Sequence, residues 1–323
     1  MSSIIGVDIA KDSFDIATLQ ANGKYRTKAK LANKLAGFEV LESWLEQHSE
    51  PGAWIVMEAT GIYHEALAEY LYGLGFKVCV MNPAQISSYA KSQLQRVKTD
   101  KVDAKLIADY GLRHVDQLRA WQPEPKATKQ LRALLRRLKD LQEFQQMERN
   151  RLEVASSNVR PSIEAMLEHT AAQIAETEKQ IRDHIDDDPD LRGKLDLLTT
   201  IDGIGKLTAA QLLAELGDPL RFANARAITA FAGLNPRLQE SGNQRGHVRI
   251  SRVGSSRLRA CLYMPGVVSL SCNAAVQAMA QRLRERGKAG KQIICAAMRK
   301  LLHIAYGVLK SGQPFDAQKA LAH

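Results

Sequence analysis

The chain has 323 residues, 45% hydrophobic and 25% charged, the balance of a soluble globular protein long enough to bury more than one core. Its longest apolar run, ACLYMPGVVSL (260–270), is interrupted by Pro265 and too short to span a bilayer. The formal charge of +10 is unevenly placed: residues 224–323 hold 16 Lys and Arg against Glu240, Glu285 and Asp316, a net +13 that calls for a polyanionic partner.

In chain order, SIIGVDIA (3–10) reads as a buried strand and FDIATLQ (14–20) as a second, closed by the turn residues Asn22 and Gly23. KYRTKAKL (24–31) gives a third, more polar strand. Asn33 is placed to cap a helix running to about residue 47, with Phe38, Leu41, Trp44 and Leu45 on one face. AWIVME (53–58) is a fourth strand, followed by a helix over about 62–74. FKVCVMN (76–82) is a fifth, after which Pro83 opens another helix. A last helix starts near Asp100. Three strands in meander, then helix, strand, helix, strand, helix, is the order of elements of a ribonuclease H-like fold. The opening MSSIIGVDIAKDSF has too short an apolar run and too early an acid for a signal peptide. The scattered Cys79, Cys261, Cys272 and Cys295 show no metal-ligand spacing and read as buried thiols in a reducing, cytoplasmic compartment.

From 127 to about 185 the rhythm changes. Leu131, Leu134, Leu138, Leu141 and Leu152, then Ile163, Met166, Thr170, Ile174, Thr177, Ile181 and Ile185, predict two long amphipathic helices of a coiled coil, broken near Pro161, with polar Gln145 at an expected core position. DDDPD (186–190) reads as a linker. TTIDGIGKLTAAQLLAELGD (199–218) has the pattern of a helix-hairpin-helix, in which Gly203 and Gly205 leave turn amides open to a DNA phosphate; a tight turn with no ligand gives the same pattern. Further helices are expected at about 228–234, 255–270, 274–286 and 291–309, with a polar loop at 235–250.

KTDKVDAK (98–105) carries Asp100 and Asp103 three apart, hence on one helix face. Taken alone it is a solvated helix start. Asp8 in the first strand and Glu58 at the end of the fourth fall on neighbouring strands of the expected topology. Each acid also has an ordinary role: Asp8 pairing with Lys11, Glu58 capping the next helix, Asp100 as an N-cap. Four carboxylates from three elements would repel one another, and hard divalent cations such as Mg²⁺ resolve that conflict and leave positions for substrate phosphate. One or two such ions suit phosphoryl transfer. Lys98, Lys101 and Lys105 then read as phosphate contacts or charge relief. GVDIAKDSFDIATL (6–19) is also similar to the first phosphate loop of actin-like ATPases and sugar kinases, but no second Asp-Gly loop follows.

NPRLQESGNQRGHVRISRVGSSRLR (235–259) sets Ser241 and Gly242 among Arg237, Arg245, His247, Arg249, Arg252, Arg257 and Arg259. A serine hydroxyl beside guanidiniums fits attack on a phosphodiester, and equally an ordinary Ser-Gly turn in a DNA-binding loop.

The pieces GVDIAK, EATGIY (58–63), KTDKVDA, IDGIG (201–205), FAGLNP (231–236), ESG (240–242) and RVGSSRLR (252–259), in this order and over essentially the whole chain, resemble the DEDD transposases of bacterial insertion sequences, a family of bridge-RNA-guided recombinases. The resemblance implies an α/β N-terminal ribonuclease H/RuvC-like domain (1–120), a coiled-coil spacer (121–190) and an all-α transposase domain with a helix-hairpin-helix (191–323). Asp8, Glu58, Asp100 and Asp103 match the family's Mg²⁺-binding acids, and Ser241 its nucleophile, which becomes joined to a DNA strand. It implies double-stranded donor and target DNA, a guide RNA and a dimer assembling to a tetramer as partners. A RuvC-like endonuclease acting on branched DNA through metal-bound water, with no serine adduct, is the competing expectation; a binding protein with a decayed metal site is a third, against which all four acids are present.

Overall fold

The computed structural model describes residues 3–50, 52–93, 100–237, 240–241, 244–245, 249–251 and 253–321; for residues 100–102, 220, 237, 240–241, 244–245, 249 and 320–321 it describes the backbone alone. The chain forms two compact units, Met1–Pro123 and Glu124–His323.

The first unit is built on a mixed sheet of β1 (Ile4–Ile9), β2 (Ser13–Leu19), β3 (Tyr25–Ala32), β4 (Trp54–Glu58) and β5 (Lys77–Met81), in the order β3-β2-β1-β4-β5. The meander pairs antiparallel, whereas β4 runs parallel to both β1 and β5. Strand alternation divides the core in two. Ile5, Val7, Ile9, Ile55 and Met57 face α1 (Leu35–His48) and α2 (Glu65–Gly73). Ile4, Val56, Cys79 and Met81 face α3 (Pro83–Ser92) and α4 (Asp100–Arg113).

All five strands fall where the sequence puts them, and two helix starts do not. The N-cap of α1 is Lys34, with no side-chain cap bond, and Asn33 points elsewhere. The helix forms regardless because Phe38, Leu41, Trp44 and Leu45 are buried, at about 1.5–3 kcal/mol each, which outweighs a missing cap of about 1 kcal/mol. The α2 helix starts at Glu65 rather than 62, because residues 61–64 form a turn with Gly61 at φ 53°. Asn82 does cap α3, accepting from the Ala84 amide.

In the second unit, α5 (Lys126–Glu153) and α6 (Arg160–Asp186) pack together as a long hairpin. Leu131, Leu135 and Leu138 with Ile181 and Ile185 root it in a core shared with α7 (Pro189–Thr199), α8 (Lys206–Leu216), α9 (Ala225–Phe231), α10 (Ser256–Cys272) and α12 (Gly290–Ser311). Towards the hairpin's far end the packing thins, and Met147, Val154, Val159 and Met166 are exposed. Gln145 is half-buried, and Glu148, not foreseen as a core residue, is buried and held by Arg151. The acidic run 186–190 is no linker: Asp188 accepts from the Asp190 and Leu191 amides and Pro189 opens α7, a built cap that turns the chain directly into the next helix. The helices α11 (Ala274–Glu285) and α13 (Ala317–Leu321) complete the unit. By length and composition α12 is apolar enough to cross a membrane, but Ala297, Met298, Leu301, Leu302 and Ala305 are buried in the unit's own core.

The base of α5 is fixed by charge. Arg132 takes both carboxylate oxygens of Glu124 at 2.5 Å and donates to the Ala214 carbonyl at 2.7 Å, with side chains 19% and 15% exposed. Glu124→Ala strands a largely buried guanidinium, with an expected loss of about 2–4 kcal/mol, visible as a lower urea midpoint of the full chain. An unchanged midpoint refutes that role.

The cysteine expectation holds only in part. Cys79 is buried, Cys261 and Cys295 are half-buried, and Cys272 is exposed. Burial, helped by Glu215, pushes the Cys261 thiol up to about 12, so it stays protonated.

Candidate active site

The approach of α4 to the sheet is set by missing side chains. A Cβ on Gly6 would lie 2.3 Å from the Ala104 carbonyl oxygen and 2.4 Å from the Ala108 nitrogen, so β1 and α4 touch backbone to backbone there. Gly111, two turns on, lies over the side chains of Ile4 and Val56. The helix therefore runs antiparallel to β1. Stepping from Ile4 past Gly6 to Asp8 on the same strand face leads to the first turn of α4, where Asp100 and Asp103 reside.

Glu58 arrives by register. The parallel ladder pairs Gly6 with Val56 and Val7 with Met57, so Asp8 and Glu58 are the next residues at the ends of adjacent strands, on the α4 face. Asp8, Glu58 and Asp103 are half-buried and each has an interaction partner. Asp8 and Glu58 thus lie on the α4 face of the sheet, towards the end that the first turn of α4 approaches. Among the described residues, no three carboxylate, imidazole or thiol groups form a metal-holding cluster, and the Asp100 side chain lies outside the description. The donor set is nevertheless one of hard oxygens alone, which suits Mg²⁺ and no soft metal.

One acid escaped the sequence reading. Asp15 pairs directly with Asp8 across the β1–β2 ladder, and strand alternation puts it on the same face. It is 7% exposed and accepts from the Lys30 amide at 2.7 Å, where Lys30 adopts φ 55°. Like charges directly opposite destabilise a sheet, and this backbone bond compensates Asp15. The signal was present: an acid between Phe14 and Ile16, two apolar neighbours of a buried strand.

The α4 helix is fastened farther along by Asp109, which accepts from the Tyr89 hydroxyl at 2.5 Å and from Arg113 at 2.9 Å. Burial and that carboxylate push the Tyr89 phenol up to about 12. Lys105 lies 6.0 Å from the Tyr25 ring centre, a cation–π contact. Lys98 lies outside the described residues and Lys101 has only its backbone described.

In the second unit the expected polar loop at 235–250 contains paired backbone. β6 (Pro236–Arg237) pairs with β9 (Arg249–Ile250), and inside them β7 (Glu240–Ser241) pairs with β8 (Gln244–Arg245). Short two-residue strands carry too little periodicity to be read from sequence. In this register Arg237 is opposite Arg249, and Ser241 ends β7 opposite Gln244. Only the backbone of Arg237, Ser241, Arg245 and Arg249 is described; Gly242, His247 and Arg252 lie outside the described residues. Arg257 is exposed on α10. Arg259 is committed to the Ala232, Gly254 and Ser255 carbonyls, at 3.0, 3.2 and 3.3 Å, clamping the 231–234 turn onto α10.

The IDGIG segment joins α7 to α8. Gly203 takes φ 95° against Ser269, and Asn273 donates to the Asp202 carbonyl at 3.1 Å. Gly205 is the exposed N-cap of α8, whose first turn holds Lys206 and no acid, so its free amides favour an anion.

An acid-bearing sheet edge joined in one chain to a strongly basic helical unit is the combination expected of an enzyme that acts on a polyanion. Comparison with known proteins makes this particular. Residues 5–158 match a transposase family of the DEDD, IS110 type, and residues 195–281 match the transposase IS116/IS110/IS902 family. The chain is 37% identical over 318 residues, 97% of each chain, to the pilin gene-inverting proteins of Moraxella bovis and Moraxella lacunata. It is 27% identical to the transposase for insertion sequence element IS1111A of Coxiella burnetii, over 80% of this chain and 75% of that one. The chain belongs to the IS110 family of DEDD transposases, DNA recombinases of insertion sequences.

Proposed function

We propose that this transposase cuts and rejoins DNA through a covalent phosphoserine at Ser241, with Mg²⁺ held by Asp8, Glu58, Asp100 and Asp103 and with sequence choice delegated to a guide RNA. The observation that carries the reading is the meeting of β1, β4 and α4 at one acid-bearing edge, in a chain whose other unit sets Ser241 in an arginine-rich ribbon. The N-terminal unit is then ribonuclease H/RuvC-like. When bound, Mg²⁺ supplies charge neutralisation at the phosphate oxygens. Ser241 Oγ gives up its proton and forms a bond to phosphorus as the bond to a deoxyribose oxygen breaks, and that oxygen takes up a proton. A hydroxyl of another strand later attacks the same phosphorus and releases Ser241. Bond energy is conserved, so no nucleotide cofactor enters.

Arg237, Arg245, Arg249, Arg252 and Arg257, the Gly203–Gly205 turn and the lysines at 98, 101 and 105 hold nucleic-acid backbone, which positions the strands and leaves base reading to RNA pairing. Region 1–120 carries the acids, 121–190 joins subunits and 191–323 carries the serine, so that dimers assemble to a tetramer with composite sites. The exposed Met147, Val154, Val159 and Met166 of the hairpin support that joining role. Two sites inverted on one DNA molecule turn such strand exchange into inversion, in keeping with the names of the Moraxella relatives.

Asp103→Asn is expected to reduce Mg²⁺-dependent strand cleavage on the order of a hundredfold with an unchanged melting temperature. Cleavage that persists in saturating EDTA refutes the metal site. Free 5′-phosphate ends with no protein attached favour the endonuclease reading instead.

A further inference from the structure

We infer that Asn33 is a positioning residue that sets the spacing between Asp8 and Glu58. This rests on the acid-site reading above. The parallel ladder between β1 and β4 ends at the pair Val7 and Met57, one residue short of both acids. Asp8 is still paired to Asp15 of β2 and Glu58 to Met81 of β5, so it is across the β1–β4 seam that their separation depends on what ties together the loops leaving the strands. The Asn33 side-chain amide does so: Nδ2 donates to the Ala10 carbonyl at 3.0 Å and the Tyr63 carbonyl at 3.0 Å, with a longer contact to the Lys11 carbonyl at 3.4 Å. Ala10 is two residues after Asp8, and Tyr63 is five after Glu58. The backbone joins in, as the Asn33 amide donates to the Asp12 carbonyl at 3.0 Å.

The chemistry selects asparagine. Its amide nitrogen has two hydrogens for two loops, and three facing carbonyls fix which end is nitrogen. Aspartate has the same shape and no donor, so it would set a carboxylate against three carbonyl oxygens. Serine keeps one donor. The residue is also free for this task, because the adjacent helix is capped at Lys34 without its help. Asn33 Oδ1 is buried without a partner, so the side chain is held through its donor end alone.

The test is Mn²⁺ binding to the full-length protein, read from the free-ion electron paramagnetic resonance signal, with melting temperature and DNA retention measured alongside. Asn33→Ala is expected to weaken Mn²⁺ binding about tenfold or more, as loss of outer support around a metal does. Asn33→Asp should weaken it at least as much and Asn33→Ser by less. DNA retention should be preserved, and raised Mn²⁺ should restore cleavage. Asn33→Ser keeps the question answerable if the alanine variant does not fold. A purely structural role lowers the melting temperature and leaves Mn²⁺ affinity unchanged in every folded variant; that outcome, with Asp8→Asn abolishing binding, overturns the inference. If Asp8→Asn and Glu58→Gln both bind Mn²⁺ as the parent does, the acid-site reading falls, and this one with it.

Discussion

Ser241→Ala is expected to leave no covalent protein–DNA adduct on a denaturing gel while DNA and RNA are retained at near parental affinity. The substitution removes one oxygen and no charge. On the proposed mechanism nucleic-acid grip would rest on many backbone contacts and the adduct on a single P–O bond, so the two readouts should separate. The backbone is not stressed, since Ser241 ends a short strand that alanine also tolerates. Strand exchange in a recombination assay should fall to background, because the proposed mechanism has no other bond to store the energy of the broken phosphodiester. An adduct that survives in Ser241→Ala removes this residue from the mechanism.

Gly6→Val should be nearly as damaging by a physical rather than a chemical route. A Cβ there meets the backbone of Ala104 and Ala108 at 2.3 and 2.4 Å, and backbone does not step aside as a flexible side chain does. The helix α4 must lift from β1, at an overpacking cost of about 1–3 kcal/mol or more. Lifting it carries Asp100 and Asp103 away from Asp8, so metal affinity and cleavage should fall together. Gly73→Ala makes the comparison, as nothing lies within 4 Å of a Cβ placed there. It should change neither. Parental Mg²⁺ dependence in a folded Gly6→Val protein would mean that the α4 contact does not govern the site.

The parts legible in the sequence were those with a period or a chemical type. Four strands of the sheet are apolar runs and the third, more polar one follows the Asn22-Gly23 turn, so all five are legible. The acids stand out by type, and the β1–β4 ladder runs to Val7 and Met57, the residues just before Asp8 and Glu58. Legibility failed where tertiary partners overrode a local rule. Asn33 has the look of a cap, yet carbonyls from two distant loops outcompete one helix amide for its side chain. The run DDDPD has the composition of a linker, but Asp188 and Pro189 are the two residues a helix start needs. Asp15 is visible as an acid between apolar neighbours, but the residue it faces is a property of register, which the sequence does not show. The nested ribbons around Ser241 are too short to show any period.

The hairpin of α5 and α6 has a consequence of reach. Leu141 is the last buried leucine of α5, and the helix runs on to Glu153, about 18 Å at 1.5 Å per residue. That stretch adds little burial, so its length is free to be tuned by something other than stability. Removing seven residues from each arm would shorten it by about 10 Å and return the same faces to register.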